Sequence, residues 1–133
     1  MAESDASDRG IGEMKKALDL DPAHVPAMVG LAAIYMKRGE PEAAREFAAK
    51  AVKASPGDFA THIVLGRALL ETGDAAAAAR ELELAVKLAP DNPEARFSLA
   101  SAYSRLGRKA DAEREHEEFK RLKKVTDVSH SPF

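Results

Sequence analysis

Cysteine is absent from the 133 residues, which excludes disulfides, thiolate zinc sites and cysteine nucleophiles together while leaving the redox compartment open. Tryptophan is missing too, and aromatics make up 5% of a chain that is 45% hydrophobic. Alanine therefore carries much of the apolar share, a composition that favours helices packed close together. No stretch approaches the ~18 apolar residues of a membrane span. The opening Met1 to Gly10 is acidic and polar, without the apolar core of a signal peptide. A soluble, cytoplasmic chain without membrane insertion is the expectation. Charge of one sign is also lacking: 20 Lys and Arg stand against 22 Asp and Glu. This balance removes any general attraction to nucleic acid. A chain of this length has room for one ordinary domain or a short array of stacked units.

What the sequence does contain is a repeat. Shifted by 34 residues, it aligns Val25 to Asp58, Phe59 to Asn92 and Pro93 to about Thr126 without a gap. Gly39, Gly73 and Gly107 coincide, as do Leu31, Leu65 and Leu99, then Ala44, Ala78 and Ala112. Pro22, Pro56 and Pro90 fall at the same spacing, each where a missing N–H and fixed φ end a helix. Within a unit, apolar residues recur at three and four: Met28, Leu31, Ala32 and Tyr35, then Ala44, Phe47, Ala48, Ala51 and Val52. Both halves read as helices of about a dozen residues. The glycine between them suits the left-handed conformation that closes a helix. Each unit is therefore an antiparallel helical hairpin.

These residues resemble the tetratricopeptide repeat (TPR) over residues 11 to about 122. The marks are the small residues Ala32, Gly66 and Ala100 after the equivalent leucines, the aromatics Tyr35 and Tyr103 further on, and the late alanines Ala51 and Ala85. Met28, His62 and Arg96 depart from the family, which often has Trp there, and Phe119 replaces the late alanine. The resemblance implies an all-α, right-handed α-solenoid of about seven helices. It divides the chain into a flexible tail at 1–10, a half-repeat helix at 11–24, and units at 25–58, 59–92 and 93–126 with an extended capping helix. A disordered tail at 127–133 follows. The small residues let the two helices of a hairpin approach closely, as at Gly66 and Ala78.

Chemistry has few footholds. His24, His62, His116 and His130 share no helical face or metal motif, the glycines are punctuation rather than a phosphate loop, and no nucleophile constellation stands out. Neither cofactor, metal nor catalysis is expected. Helical repeats that read RNA need basic or aromatic side chains at matching positions in every unit. The matching positions here do not repeat that way.

Binding of an unidentified protein or peptide is the function the resemblance implies, through a concave groove lined by the first helices. Family geometry carried across gives Val29, Ala33, Met36 and Lys37, then Ile63, Arg67, Leu70 and Glu71, then Phe97, Ser101, Ser104 and Arg105. Val64 and Ser98 fall at the helix borders. The expected surface has an apolar floor of Val29, Met36, Ile63, Leu70 and Phe97 with a mostly basic edge. Exchanging Ile63 and Phe97 for Glu is expected to abolish capture and leave helicity intact. Family members that clamp a C-terminal carboxylate use Lys and Asn where Val29 and Ala33 stand, which disfavours a chaperone-tail receptor.

The alternative is a scaffold that joins copies through its ends. Met1 to Glu13 carries four acids and one base, whereas Arg105 to Lys124 carries eight bases and five acids. Monomer or weak self-association is expected, and the module fits within a larger multidomain protein.

Overall fold

The computed structural model describes residues 2 to 129. These form seven helices and no strand: α1 (Ala2–Leu20), α2 (Val25–Lys37), α3 (Pro41–Ala54), α4 (Phe59–Glu71), α5 (Ala75–Leu88), α6 (Pro93–Arg105) and α7 (Lys109–Ser129). None of the described helices is long and apolar enough to cross a membrane. The paired helices α2/α3, α4/α5 and α6/α7 make three hairpins, and α1 packs on α2.

Each hairpin turns on a glycine in the left-handed region, with φ of 75° at Gly39, 90° at Gly73 and 76° at Gly107. The bends are built alike. The Glu40 N–H reaches back to the Tyr35 carbonyl at 2.8 Å, Asp74 to Leu69 at 2.9 Å and Arg108 to Tyr103 at 2.9 Å. These bonds satisfy carbonyls that the end of a helix leaves without partners. Four helices start on a side-chain cap, whereas α3, after the Gly39 bend, does not. His24, Asp58, Asp74 and Asn92 accept from backbone N–H groups of α2, α4, α5 and α6 respectively, a contribution of about 1 kcal/mol each.

One core runs through the seams. Ala32, Ala44, Ala48, Leu65, Ala68, Ala78, Leu82, Leu99 and Ala102 are buried in a single cluster that joins all three hairpins. Small residues set the spacing. A Cβ on Gly66 would stand 2.5 Å from Cγ of Leu82, and one on Gly30 would stand 2.5 Å from Sδ of Met14. Helix α4 thus lies closer to α5 than a larger residue at Gly66 permits without displacing buried Leu82, whereas at Gly30 the flexible end of Met14 is what would have to shift.

Both ends differ from the expectation. Helix α1 begins at Ala2 rather than near Ile11, so the segment read as a tail is helical as far as the description reaches. It is held to the array: Gly10 lies against Ile34, and Asp8 pairs with Arg38 at 2.7 Å. At the other end α7 continues to Ser129, past the expected boundary at 126. Residues 130 to 133, and His130 with them, lie outside the described residues.

The first helices of successive hairpins touch one another, α2 with α4 and α4 with α6. Among the described residues the second helices α3, α5 and α7 make no such contacts. An array joined along one side and splayed along the other is curved, with α2, α4 and α6 on its inner side.

Candidate functional site

The inner side carries an open cleft of about 450 Å³ between α2 and α4, lined by Ala33, Met36, Lys37, Val64, Arg67 and Glu71. Ala33, Lys37, Arg67 and Glu71 are exposed and Met36 is half-buried. Lys37 and Glu71 have no ion-pair partner among the described residues, whereas Arg67 reaches Glu94 of α6 at 3.1 Å. That pair is solvent-exposed on both sides, so it holds Arg67 weakly and leaves the guanidinium open to exchange. The cleft therefore offers a thioether and two aliphatic surfaces flanked by two cations and one anion.

The remaining expected residues are not all there. Ile63 and Leu70 are only 5% and 7% exposed, closed over by α6. They are part of the seam, not of the floor, and the pairing of Ile63→Glu with Phe97→Glu would bury a charge and disturb the fold. Val29 is half-buried against the core. Arg105 is exposed but tied back along the array: its Nη1 donates to the Leu70 carbonyl, linking α6 to α4. Val64 and Ser98 are buried, and Val64 also lines the inner cleft. Ser101 is half-buried and donates its hydroxyl to the Phe97 carbonyl at 3.3 Å.

Phe97, Ser101, Ser104 and Arg105 belong to a different cleft, of about 690 Å³, which α6 forms with Glu113, His116, Glu117 and Lys120 of α7. This lies at the free end of the array. The α7 residues were not among the expected site, because the first helices alone were read for binding.

Two polar constructions escaped sequence reading. His62 is 4% exposed, and both its ring nitrogens face acceptors: Nδ1 lies 2.7 Å from Glu81 Oε2 and Nε2 lies 2.6 Å from the Pro56 carbonyl. A neutral imidazole has one N–H and serves only one of these. One unit later, Arg96 does the same work, with Nη1 to Glu115 at 2.8 Å and Nε to the Pro90 carbonyl at 3.1 Å. The signal was available: His62 and Arg96, Glu81 and Glu115, and Pro56 and Pro90 are each 34 apart. In the first unit the corresponding positions are Met28 and Phe47, an apolar pair.

The second construction is Tyr103, whose hydroxyl donates to Glu83 at 2.9 Å while Arg108 sits 4.2 Å over its ring. Burial, and then the bond to Glu83, pushes the phenol up to about 12. Both constructions hold neighbouring helices together. Among the described residues no group of three His, Asp or Glu side chains is placed to hold a metal ion.

Two tetratricopeptide repeat models match the sequence, one over residues 3–67 and the other over 63–118. The chain belongs to the tetratricopeptide repeat family. No curated protein sequence matches it significantly. Among solved structures, a crystal structure of MamA superposes with a TM-score of 0.78 at 27% identity, over 85% of this chain and 66% of that one. A second MamA crystal structure gives 0.81 at 27% identity, over 90% of this chain and 66% of the other. The chain thus spans about two thirds of the length of the MamA structures it matches. The second TPR domain of Spaghetti (RPAP3), solved with the HSP90 peptide SRMEEVD, superposes with a TM-score of 0.70 at 18% identity, over 74% of this chain and 91% of that one. At that identity the likeness is one of fold.

Proposed function

We propose that this TPR array is a protein-interaction module that holds a peptide or partner helix against its inner side, in the cleft between α2 and α4. The observation that carries the reading is the grouping of exposed Lys37 and Arg67 around Met36 and Ala33 in one concavity. An apolar side chain of the bound segment would rest on Met36 and Ala33. Carboxylates beside it would meet Lys37 and Arg67, the latter exchanging Glu94 for the ligand. The fold is one that holds a peptide in the RPAP3 structure, which supports the mode without naming the ligand. Val29 and Ala33 supply no donors for a terminal carboxylate, so the preferred ligand is an internal acidic and apolar segment rather than a chain end. The module fits an adaptor role within a larger protein.

The test is selection of binding peptides from a random displayed library on the wild-type chain, followed by affinity measurement on Lys37→Glu with Arg67→Glu. Both side chains are exposed, so helicity should be unchanged. Selected peptides are expected to be acidic and to lose at least about tenfold in affinity, some 1.4 kcal/mol. Undiminished affinity in the double variant would place the interface elsewhere.

A further inference from the structure

The open end of the array has a precedent inside the same molecule. In each earlier unit, the surface formed by a hairpin is covered by the first helix of the next: α4 lies on α2 and α3, and α6 lies on α4 and α5. One unit before Phe97 stands Ile63, 5% exposed beneath α6, whereas Phe97 itself is 47% exposed. The floor of this seat is rewritten. Ala79, Leu82 and Val86 of α5 become Glu113, His116 and Lys120 of α7 at the same register. With Glu117 they form a stripe at i, i+3, i+4 and i+7, so all four project from one face of α7 into the end cleft.

A helix placed there as α6 is placed on α5 runs antiparallel to α7. Read in reverse, the stripe becomes Lys, Glu, His, Glu. Two copies of α7 related by a twofold axis between residues 116 and 117 therefore set Lys120 against the partner's Glu113, and His116 against the partner's Glu117. Each contact occurs twice, as an isologous interface requires. Beside the stripe, the Phe97 and Phe119 rings meet at a tilt of 53° with centroids 5.1 Å apart, and the His116 ring lies 6.0 Å from Phe119. This aromatic cluster supplies the apolar area that the charged stripe lacks. Lys120 currently reaches Glu117 of its own helix at 3.5 Å, with the two side chains 61% and 75% exposed, a pair weak enough to be exchanged.

We infer that the α6–α7 end face is a self-complementary docking surface on which two copies of this chain join head to head, their α7 helices antiparallel. The four helices α6 and α7 of both protomers would then close as a bundle around the aromatic clusters. This differs from head-to-tail joining through the acidic start, where Asp8 is already engaged by Arg38. It also leaves the α2–α4 cleft free.

Sedimentation velocity of the full chain over micromolar to millimolar concentrations tests the inference. A reversible monomer–dimer equilibrium is expected, weakened by salt. Lys120→Glu sets carboxylate against carboxylate and should raise the dimer Kd at least tenfold. Adding Glu113→Lys to it exchanges the charges and should restore the dimer, an outcome that loss of folding does not produce. A chain that stays monomeric throughout, a dimer indifferent to Lys120→Glu, or a double variant that fails to recover would each overturn the proposal. Lys37→Glu with Arg67→Glu should leave the dimer unchanged, so its failure and that of the groove reading are separable.

Discussion

Gly66 illustrates how a single residue sets the spacing of two helices. Its missing Cβ leaves room for Leu82, whose Cγ and Cδ2 would stand 2.5 and 2.7 Å from an added carbon. Gly66→Leu is therefore expected to destabilise the chain by about 1–3 kcal/mol, measured by urea unfolding. Gly12 is the contrast, with nothing within 4 Å of the equivalent point. There alanine should raise stability by about 0.5–1 kcal/mol through helix propensity alone. The small residue at position 66 was legible in the repeat alignment, which places Ala32 and Ala100 in the same slot. The burial of Ile63 and Leu70 was not, since exposure on a first helix depends on how far the following hairpin closes over it.

Tyr103 gives a pH-dependent prediction at the same scale. Its phenol is held neutral by burial and by Glu83, with a folded value of about 12 against an ordinary 10.0. A raised value favours the protonated form in the folded chain, so this stabilisation is complete below pH 10 and lost as pH rises toward 12. Urea midpoints of the wild type should fall across that window by more than those of Tyr103→Phe. Parallel loss in both chains would show that other groups govern the alkaline limit.

At the scale of the helices, part-buried polar links add to the apolar seams between α4 and α5 and between α6 and α7. His62 with Glu81 and Arg96 with Glu115 are two solutions to one geometry, each adding a bond to the carbonyl at the end of the preceding loop. His62→Arg should keep most of the stability, because guanidinium supplies both donors as it does at position 96. His62→Ala leaves the Glu81 carboxylate and the Pro56 carbonyl without this partner and should cost about 1–3 kcal/mol by thermal or urea unfolding. Equal loss in both variants would mean that ring packing, not hydrogen bonding, is what the site needs.

The helices themselves were legible from periodicity and from the glycine and proline spacing, because each unit repeats the same local rules. Helix α1 was the exception. Gly10 with the interspersed Ser and Asp of residues 1 to 10 carries weak helix propensity, so that segment reads as a tail. Tertiary contacts outweigh that: the Gly10 face fits against Ile34, and Asp8 meets Arg38 thirty positions later. Contacts of that range leave no trace in a local pattern.

For the molecule as a whole, curvature follows from which helices touch, and curvature creates the inner cleft. The expected site divided when the array closed. Ala33, Met36, Lys37, Arg67 and Glu71 came together, Ile63 and Leu70 were consumed by the seam, and Phe97 turned toward the free end. Sequence reading found the inner side of the array but not the residues that remain accessible on it, because one apolar pattern serves both the seams and the exposed surface.

Amide shift mapping of the labelled chain with a selected acidic peptide tests the central claim most directly. Ligand-dependent shifts are predicted at Ala33, Met36, Lys37, Arg67 and Glu71, with α3 and α5 unmoved on their outer faces. Shifts confined to the outer helices would contradict it.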